Sequence, residues 1–335
     1  MVDTEATRTG DVKSSPNPRS SRRAFDVTHS TGGVRWLARY AAGLLIPPCA
    51  YAVRHPHWPG RRMLWNCLCQ PYLAWRPHDF QIRTGLGFTF AGNTTDMIPR
   101  YVYYFGTWEP AITTMVRSFD MKGRTFIDVG ANHGWYSLVA SRLVGPTGGV
   151  VAIEASPSVV PSLERNLQLN RCANVRVLNR AAWKEDTELK LYVGPADNIG
   201  ATTTNARLAE AAKAPGETHR VVAAPLSALL SSEEVRTAAV VKIDVEGAEA
   251  EVVAGMIDLL SQFPADVKIL MELTPDGAHS QGWVLATMRQ AGFRAFRLTN
   301  EYHPNFYLNP PVPTSHELTG PLNEMADVMF SRQPL

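Results

Sequence analysis

The sequence predicts an α/β fold of Rossmann-like type, with a mostly parallel seven-stranded sheet, helices on both faces and an N-terminal helical cap. Three observations carry that expectation. Short apolar runs rich in β-branched residues recur along residues 125–330. Stretches of helical periodicity separate most of them, the arrangement that produces a parallel sheet buried on both faces. A glycine-containing loop, Asp128-Val-Gly-Ala-Asn-His-Gly-Trp-Tyr136, joins the first such run to the first such helix.

The elements follow in order. Residues 1–33 are rich in Ser, Thr, Pro, Arg and Gly, and are expected to form a disordered tail. Residues 34–99 form the expected cap, irregular and partly helical. Within it lies an apolar stretch, residues 40–53, bounded by Arg39 and Arg54 and interrupted by Pro47-Pro48. It is too short to span a bilayer, which needs roughly 20 apolar residues. It reads as a helix packed on the main domain, or as a peripheral membrane contact or homodimer contact. Residues 81–90 alternate about a glycine turn and predict a hairpin. The main domain is expected over residues 100–335. Its strands are predicted at 125–129, 149–154, 174–179, 238–244, 267–272, 293–298 and 327–330, with 188–193 in a hairpin. Helices are predicted at 133–144, at 157–170, after Gly247 and at 281–291.

Composition narrows the function. The 335 residues carry a formal charge of +2, which gives no electrostatic reason to expect nucleic acid. Cys67 and Cys69 have no matching second pair for a zinc site, so no metal ligands are assigned. With Cys49 and Cys172 they fit a reducing cytosol, and a cytoplasmic protein that could touch a membrane is expected. Asn93-Thr-Thr95 matches a glycosylation triplet but has no secretion signal to support it.

The glycine loop points to a ligand at the carboxyl ends of the strands. Gly130 and Gly134 permit a sharp turn and a close backbone approach. Their spacing differs from the dinucleotide fingerprint, which also wants a helix N-terminus open to a pyrophosphate. S-adenosylmethionine has no phosphate and suits the loop better. Glu154 ends the second strand, where a carboxylate can accept both ribose hydroxyls. Ala155 and Ala182, in small-residue segments beyond the strands, could flank an adenine. Asp128 and Asn132 could serve the loop amides and the methionine end of the cofactor, and Glu109 the methionine amine. Asp244 and Glu272 end neighbouring strands and could lie side by side. Together they could bind Mg²⁺, or one could act alone as a base. The competing reading has Asp244 capping the next helix and Glu246 holding a loop. His133 and His279 are further candidate bases. Lys242, in an apolar strand, needs a partner and should support a carboxylate. Trp135 and Tyr136 read as helix packing, and residues 198–205 as a loop at the site's mouth.

These residues resemble the FkbM family of methyltransferases over roughly residues 100–300. The resemblance rests on Asp128-Val-Gly-Ala-Asn132 with Gly134, Gly149-Val-Val-Ala-Ile-Glu154, Leu163-Glu-Arg-Asn-Leu-Gln-Leu-Asn170 and, most discriminating, Lys242-Ile-Asp-Val-Glu-Gly-Ala-Glu249. Tyr104-Phe-Gly-Thr-Trp-Glu109 resembles the segment preceding the domain. One departure is Glu154-Ala-Ser-Pro157, where a proline commonly follows the acid directly. The resemblance implies a methyltransferase fold and an S-adenosylmethionine-dependent O-methyltransferase. Its substrate would be a small-molecule or sugar hydroxyl of a natural product, glycan or glycolipid. Asp244, Glu272 and His279 would be the catalytic candidates, and Glu109, Asp128, Gly130, Asn132, Gly134, Glu154, Ala155, Ala182 and Asp244 the cofactor-binding ones. A nicotinamide-dependent oxidoreductase and a catalytically inactive cofactor-binding scaffold are the alternatives.

Overall fold

The computed structural model describes residues 32–214, 216–273, 280–322 and 324–334. Most of the expected tail and His279 lie outside the described residues. The chain divides into two units, Met1–Gly43 and Leu44–Leu335. The helix Gly32–Arg54 supplies the described residues of the first and opens the second. It continues through Pro47 and Pro48, where the sequence predicts an interruption. The two rings remove two backbone donors from the helix without ending it.

Among the described residues, thirteen strands form three sheets. β1 (Asp79–Arg83) and β2 (Thr89–Asn93) make the predicted hairpin. The central strands are β3 (Thr125–Val129), β4 (Gly149–Ile153), β5 (Val175–Leu178), β9 (Ala238–Ile243), β10 (Lys268–Leu273), β11 (Arg294–Leu298), β12 (Ser315–Glu317) and β13 (Ala326–Ser331). They form one sheet in the order β12-β11-β13-β10-β9-β3-β4-β5. From β5 to β10 every pairing is parallel. β13 then runs antiparallel between β10 and β11, and β12 closes the edge.

Seven of these eight strands are the predicted ones. β12, with sequence Ser-His-Glu, offers no apolar alternation and escapes pattern reading. A small side sheet joins β6 (Ala181–Ala182), β8 (Thr218–Ala224) and β7 (Thr187–Tyr192). β7 is the predicted hairpin strand, and β8 is its partner.

Burial explains the centre of the sheet. Every residue of β3 and β9 is buried, as parallel strands covered on both faces require. One core layer packs Ile127, Val241, Ile243 and Ile269 of the sheet with Val252, Val253, Leu285 and Met288 of the helices Glu249–Ala254 and Ser280–Gln290. The helix Trp135–Val144 packs on β3 and β4.

The topology fixes where a ligand can enter. From β3 the chain moves outward to β4 and β5, then returns to place β9 on the other side of β3. The loops after β3 and β9 therefore meet at the switch point, the usual ligand position of an open α/β sheet. Gly130, at φ +80°, lies so close to that meeting that a Cβ would sit 1.8 Å from the Asp244 carbonyl oxygen. No helix among the described residues is long and apolar enough to cross a membrane.

Candidate functional site

A cleft of about 630 Å³, open to solvent, lies at this switch point. The β3 loop contributes Gly130 and Asn132 to its wall, and the end of β4 contributes Glu154, Ala155 and Ser156. Ala181, Ala182 and Trp183 follow β5. Asp244, Val245 and Glu246 follow β9. Ile199, Gly200, Thr202 and Thr204 of the segment predicted at the mouth close one side. Six of the nine predicted cofactor-binding residues, Gly130, Asn132, Glu154, Ala155, Ala182 and Asp244, thus converge on one surface.

Glu154 is held before any ligand arrives. It is buried, and its Oε2 accepts the Asn132 amide at 2.8 Å while Oε1 accepts the Ser156 amide at 2.7 Å. Burial raises its pKa, and the two amides oppose that rise. An ionised carboxylate has about four acceptor positions, so two remain for a ligand. The apolar part of the wall includes Ala155, Ala181, Ala182, Val159 and Leu191.

Three predicted residues lie off the wall. Asp128 is buried within β3, where its Oδ2 accepts the Ser137 hydroxyl at 2.6 Å, and burial pushes its pKa up to about 6. That bond ties β3 to the helix beneath the loop. Gly134, at φ +85°, precedes that helix, and a Cβ there would sit 2.6 Å from Leu163. Glu109 belongs to a separate acid cluster.

The cluster gathers Glu109, Glu272 and Asp327, whose carboxylate oxygens approach within 4.8 Å of one another. Asp327 faces Glu272 across the β10–β13 ladder. Tyr136 donates to Glu109 Oε2 at 2.6 Å, so its hydroxyl does more than the predicted packing. The Tyr302 hydroxyl lies 2.7 Å from Glu109 Oε1 and 2.8 Å from Glu272 Oε2. A phenol has one proton to give. Both contacts are satisfied together only when one of the two carboxyl groups is protonated and donates to the phenol oxygen.

The electrostatics agree with that count. Burial, then the Asp244 and Asp327 charges, lift Glu272 well above the usual carboxylate range. Burial, then the Glu109 charge, push Asp327 up to about 8. A small, partly open hollow beside β10 has Lys242, Glu272 and Asp327 among its lining residues.

Lys242 links the two regions. Its amine donates to Asp244 Oδ2 at 2.7 Å and lies 4.7 Å from the Tyr136 ring centroid. Burial acts to lower its pKa, but Asp244, Glu109 and Asp128 outweigh burial and keep the amine charged. Supporting a carboxylate is the role the sequence predicts for it. Asp244 does not cap the next helix, whose N-cap residue Ala248 has no side-chain bond. The loop is held instead by Glu249, which accepts the Gly247 amide at 2.9 Å, and by the Thr203 hydroxyl on the Glu246 carbonyl at 2.7 Å.

His133 is not on the cleft wall. Its Nε2 lies 2.5 Å from Asp96 Oδ2 and its Nδ1 2.8 Å from the Ser162 hydroxyl. Asp96 Oδ1 in turn accepts the Ile199 amide at 3.1 Å, so this histidine anchors the mouth loop. Tyr302, Asp327 and Asp96 escape sequence reading. They come from distant segments, and only strand pairing and loop packing bring them in.

Comparison with known proteins gives a family. Residues 128–295, about half of the chain, match the methyltransferase FkbM domain. A protein-L-isoaspartate O-methyltransferase of Methanothrix thermoacetophila is 35% identical over 57 residues, covering 17% of this chain and 27% of that protein. The match therefore spans about a quarter of that relative. Two solved structures are similar at 10% identity. The methyltransferase FkbM of Methylobacillus flagellatus KT matches over 70% of this chain and 55% of its own, with a TM-score of 0.39. A SAM-dependent methyltransferase of Agrobacterium tumefaciens matches over 76% and 70%, with a TM-score of 0.41.

Proposed function

The chain belongs to the FkbM methyltransferase family, and from that premise we propose that it transfers a methyl group from S-adenosylmethionine to a hydroxyl oxygen of a sugar or natural product. The observation that carries the reading is Glu154, buried at the cleft and already fixed by two backbone amides with acceptor positions to spare. A cis-diol of a ribose is the ligand group that such a carboxylate suits. Ala155, Ala181 and Ala182 leave room for a flat adenine. Gly130 lets the β3 loop pack directly on the Asp244 backbone, and this part of the wall is the one we assign to the amino-acid end of the cofactor.

When bound, the cofactor supplies an electrophilic methyl group on a sulfonium. The chain's own task is to orient the acceptor and take its proton. Asp244 lines the cleft and is paired with Lys242, which supports it as the acceptor of the hydroxyl proton. Glu154 and the β3 loop would hold the cofactor, whose neutral thioether would be the leaving group. The proton passes from the hydroxyl to Asp244. Glu272, one strand away, is the second candidate carboxylate and shares its proton traffic with Glu109 and Tyr302.

Calorimetry with S-adenosylhomocysteine and, separately, NAD⁺ tests the cofactor assignment. Binding of the nucleoside thioether and none of the dinucleotide is expected, and the reverse would overturn it. A metabolite screen with a labelled methyl donor then identifies the acceptor. Label recovered only on nitrogen would overturn the hydroxyl assignment.

A further inference from the structure

The surface formed by residues 44–76 has a composition that the cleft does not explain. Among the described residues, seven of the thirteen large apolar side chains that are exposed fall in this short segment: Leu44, Leu45, Tyr51, Trp58, Met63, Tyr72 and Trp75. Leu44, Tyr51, Met63, Tyr72 and Trp75 expose between 62% and 69% of their surface. Scattered apolar side chains on a surface need no explanation, but a concentration of this kind does.

Helical geometry sharpens the point. The stretch 44–53 buries Ile46, Cys49, Ala50 and Val53, which share one face at helical spacing. Its outward face carries Leu44, Leu45, Pro47, Pro48 and Tyr51. Both faces are therefore apolar, the pattern of a helix that meets nonpolar surroundings on two sides. The neighbouring helix Trp65–Leu73 is of π type. It buries Trp65, Cys69 and Leu73 and turns Tyr72 outward.

Charge selects the occupant. No Asp or Glu occurs between Asp26 and Asp79, while that interval holds Arg35, Arg39, Arg54, Arg61, Arg62 and Arg76. Arg62 is exposed and Arg76 partly so. Arg54 and Arg61 are spent internally, on the carbonyls of Tyr103 and Tyr307. Outward Leu and Met, with Trp and Tyr among cations and no carboxylates, is the chemistry of a segment lying in the headgroup layer of an anionic bilayer.

We propose that residues 44–76 dock this protein on the surface of a membrane containing anionic lipid, without spanning it. The inference is independent of the cleft and of the reaction assigned there.

The test is co-sedimentation of the full chain with vesicles of phosphatidylcholine alone and of phosphatidylcholine mixed with phosphatidylglycerol. Binding to the mixed vesicles, weakened by high salt, is expected. The combined variant Leu44→Ser, Tyr51→Ser, Tyr72→Ser should weaken it on the order of tenfold or more, from lost apolar burial. Its melting temperature reports that the fold survives. A second variant, Arg62→Gln, removes an exposed cation and should lower binding while leaving the apolar face whole. Equal binding to neutral vesicles would overturn the anionic-lipid assignment. Absence of vesicle binding would overturn docking altogether. A sedimentation mass that shows a dimer, returned to monomer by the serine variant, would assign the face to a second copy of the chain instead.

Discussion

Replacing Glu154 by Gln gives the cleanest separation of structure from ligand. The carboxylate accepts two backbone amides, from Asn132 and Ser156, at 2.8 and 2.7 Å. A glutamine has one oxygen, so its NH₂ group must face one of those two N–H donors. A buried donor left without an acceptor costs about 1–3 kcal/mol. Relief of the buried charge offsets part of that cost, since burial is the leading cause of the raised Glu154 pKa. A net loss of about 1 kcal/mol lowers the melting temperature of a domain this size by roughly 2–4 °C. The ligand loses more. Two charge-assisted bonds to a diol become at best one neutral bond, a change on the order of 2–4 kcal/mol. At 1.4 kcal/mol per decade this corresponds to roughly 30- to 700-fold in Kd. Calorimetry with S-adenosylhomocysteine reads the second effect, and thermal melting without ligand reads the first. A Kd within threefold of the parent, in a protein whose melting temperature has fallen as expected, would refute the ribose role and leave the loop-bracing role standing. An unchanged melting temperature would refute the bracing role.

Three further outcomes are expected. In Gly130→Ala the new methyl meets the Asp244 carbonyl oxygen at 1.8 Å on a backbone at φ +80°. Neither side of the contact is a flexible side chain, so the loss should exceed about 2 kcal/mol, and a parental denaturation midpoint would show that the two loops are not in contact. Asp244→Asn removes the carboxylate proposed to take the proton and should cut labelled-methyl incorporation by about 100-fold or more at saturating donor; retained incorporation would move that role to Glu272. Asp327→Asn tests the acid cluster through pH. The Asp327 pKa, raised from 3.8 to about 8, makes its stability contribution complete below the lower value and lost as pH rises through the higher. The parent protein should therefore lose stability between about pH 4 and 8, and the variant should lose less and melt higher at alkaline pH. Parallel melting curves of the two proteins across that range would contradict the assignment.

The sheet was legible because its central strands are buried on both faces. Runs such as Ala238-Ala-Val-Val-Lys-Ile243 advertise that burial in their composition. The cleft was legible for a related reason. Gly130, Glu154 and Asp244 each follow a strand directly, and strand ends in a parallel sheet must come together. The acid cluster was only half visible. Glu272 stood out as a carboxylate at a strand end, and Glu109 as a candidate for the methionine amine. Asp327 entered through an antiparallel pairing that strand composition does not encode. Tyr302 lies in a segment without regular structure, so no periodicity marks it. His133 shows the opposite failure. Its place in the glycine loop suggested chemistry, but its ring is engaged on both sides by Asp96 and Ser162. The loop backbone turns at Asn132, φ +50°, and delivers the next side chain away from the cleft wall.

The position of β13 bears on how the chain is made. β10 and β11 leave the ribosome before residues 326–331, yet those residues separate them in the finished sheet. Until that strand emerges, the far edge of β10 presents an unpaired ladder, and β11 and β12 have nothing to add to. Docking β11 directly against β10 would trap a sheet one strand short. It would also keep Asp327 from Glu272 and leave the acidic pocket unformed.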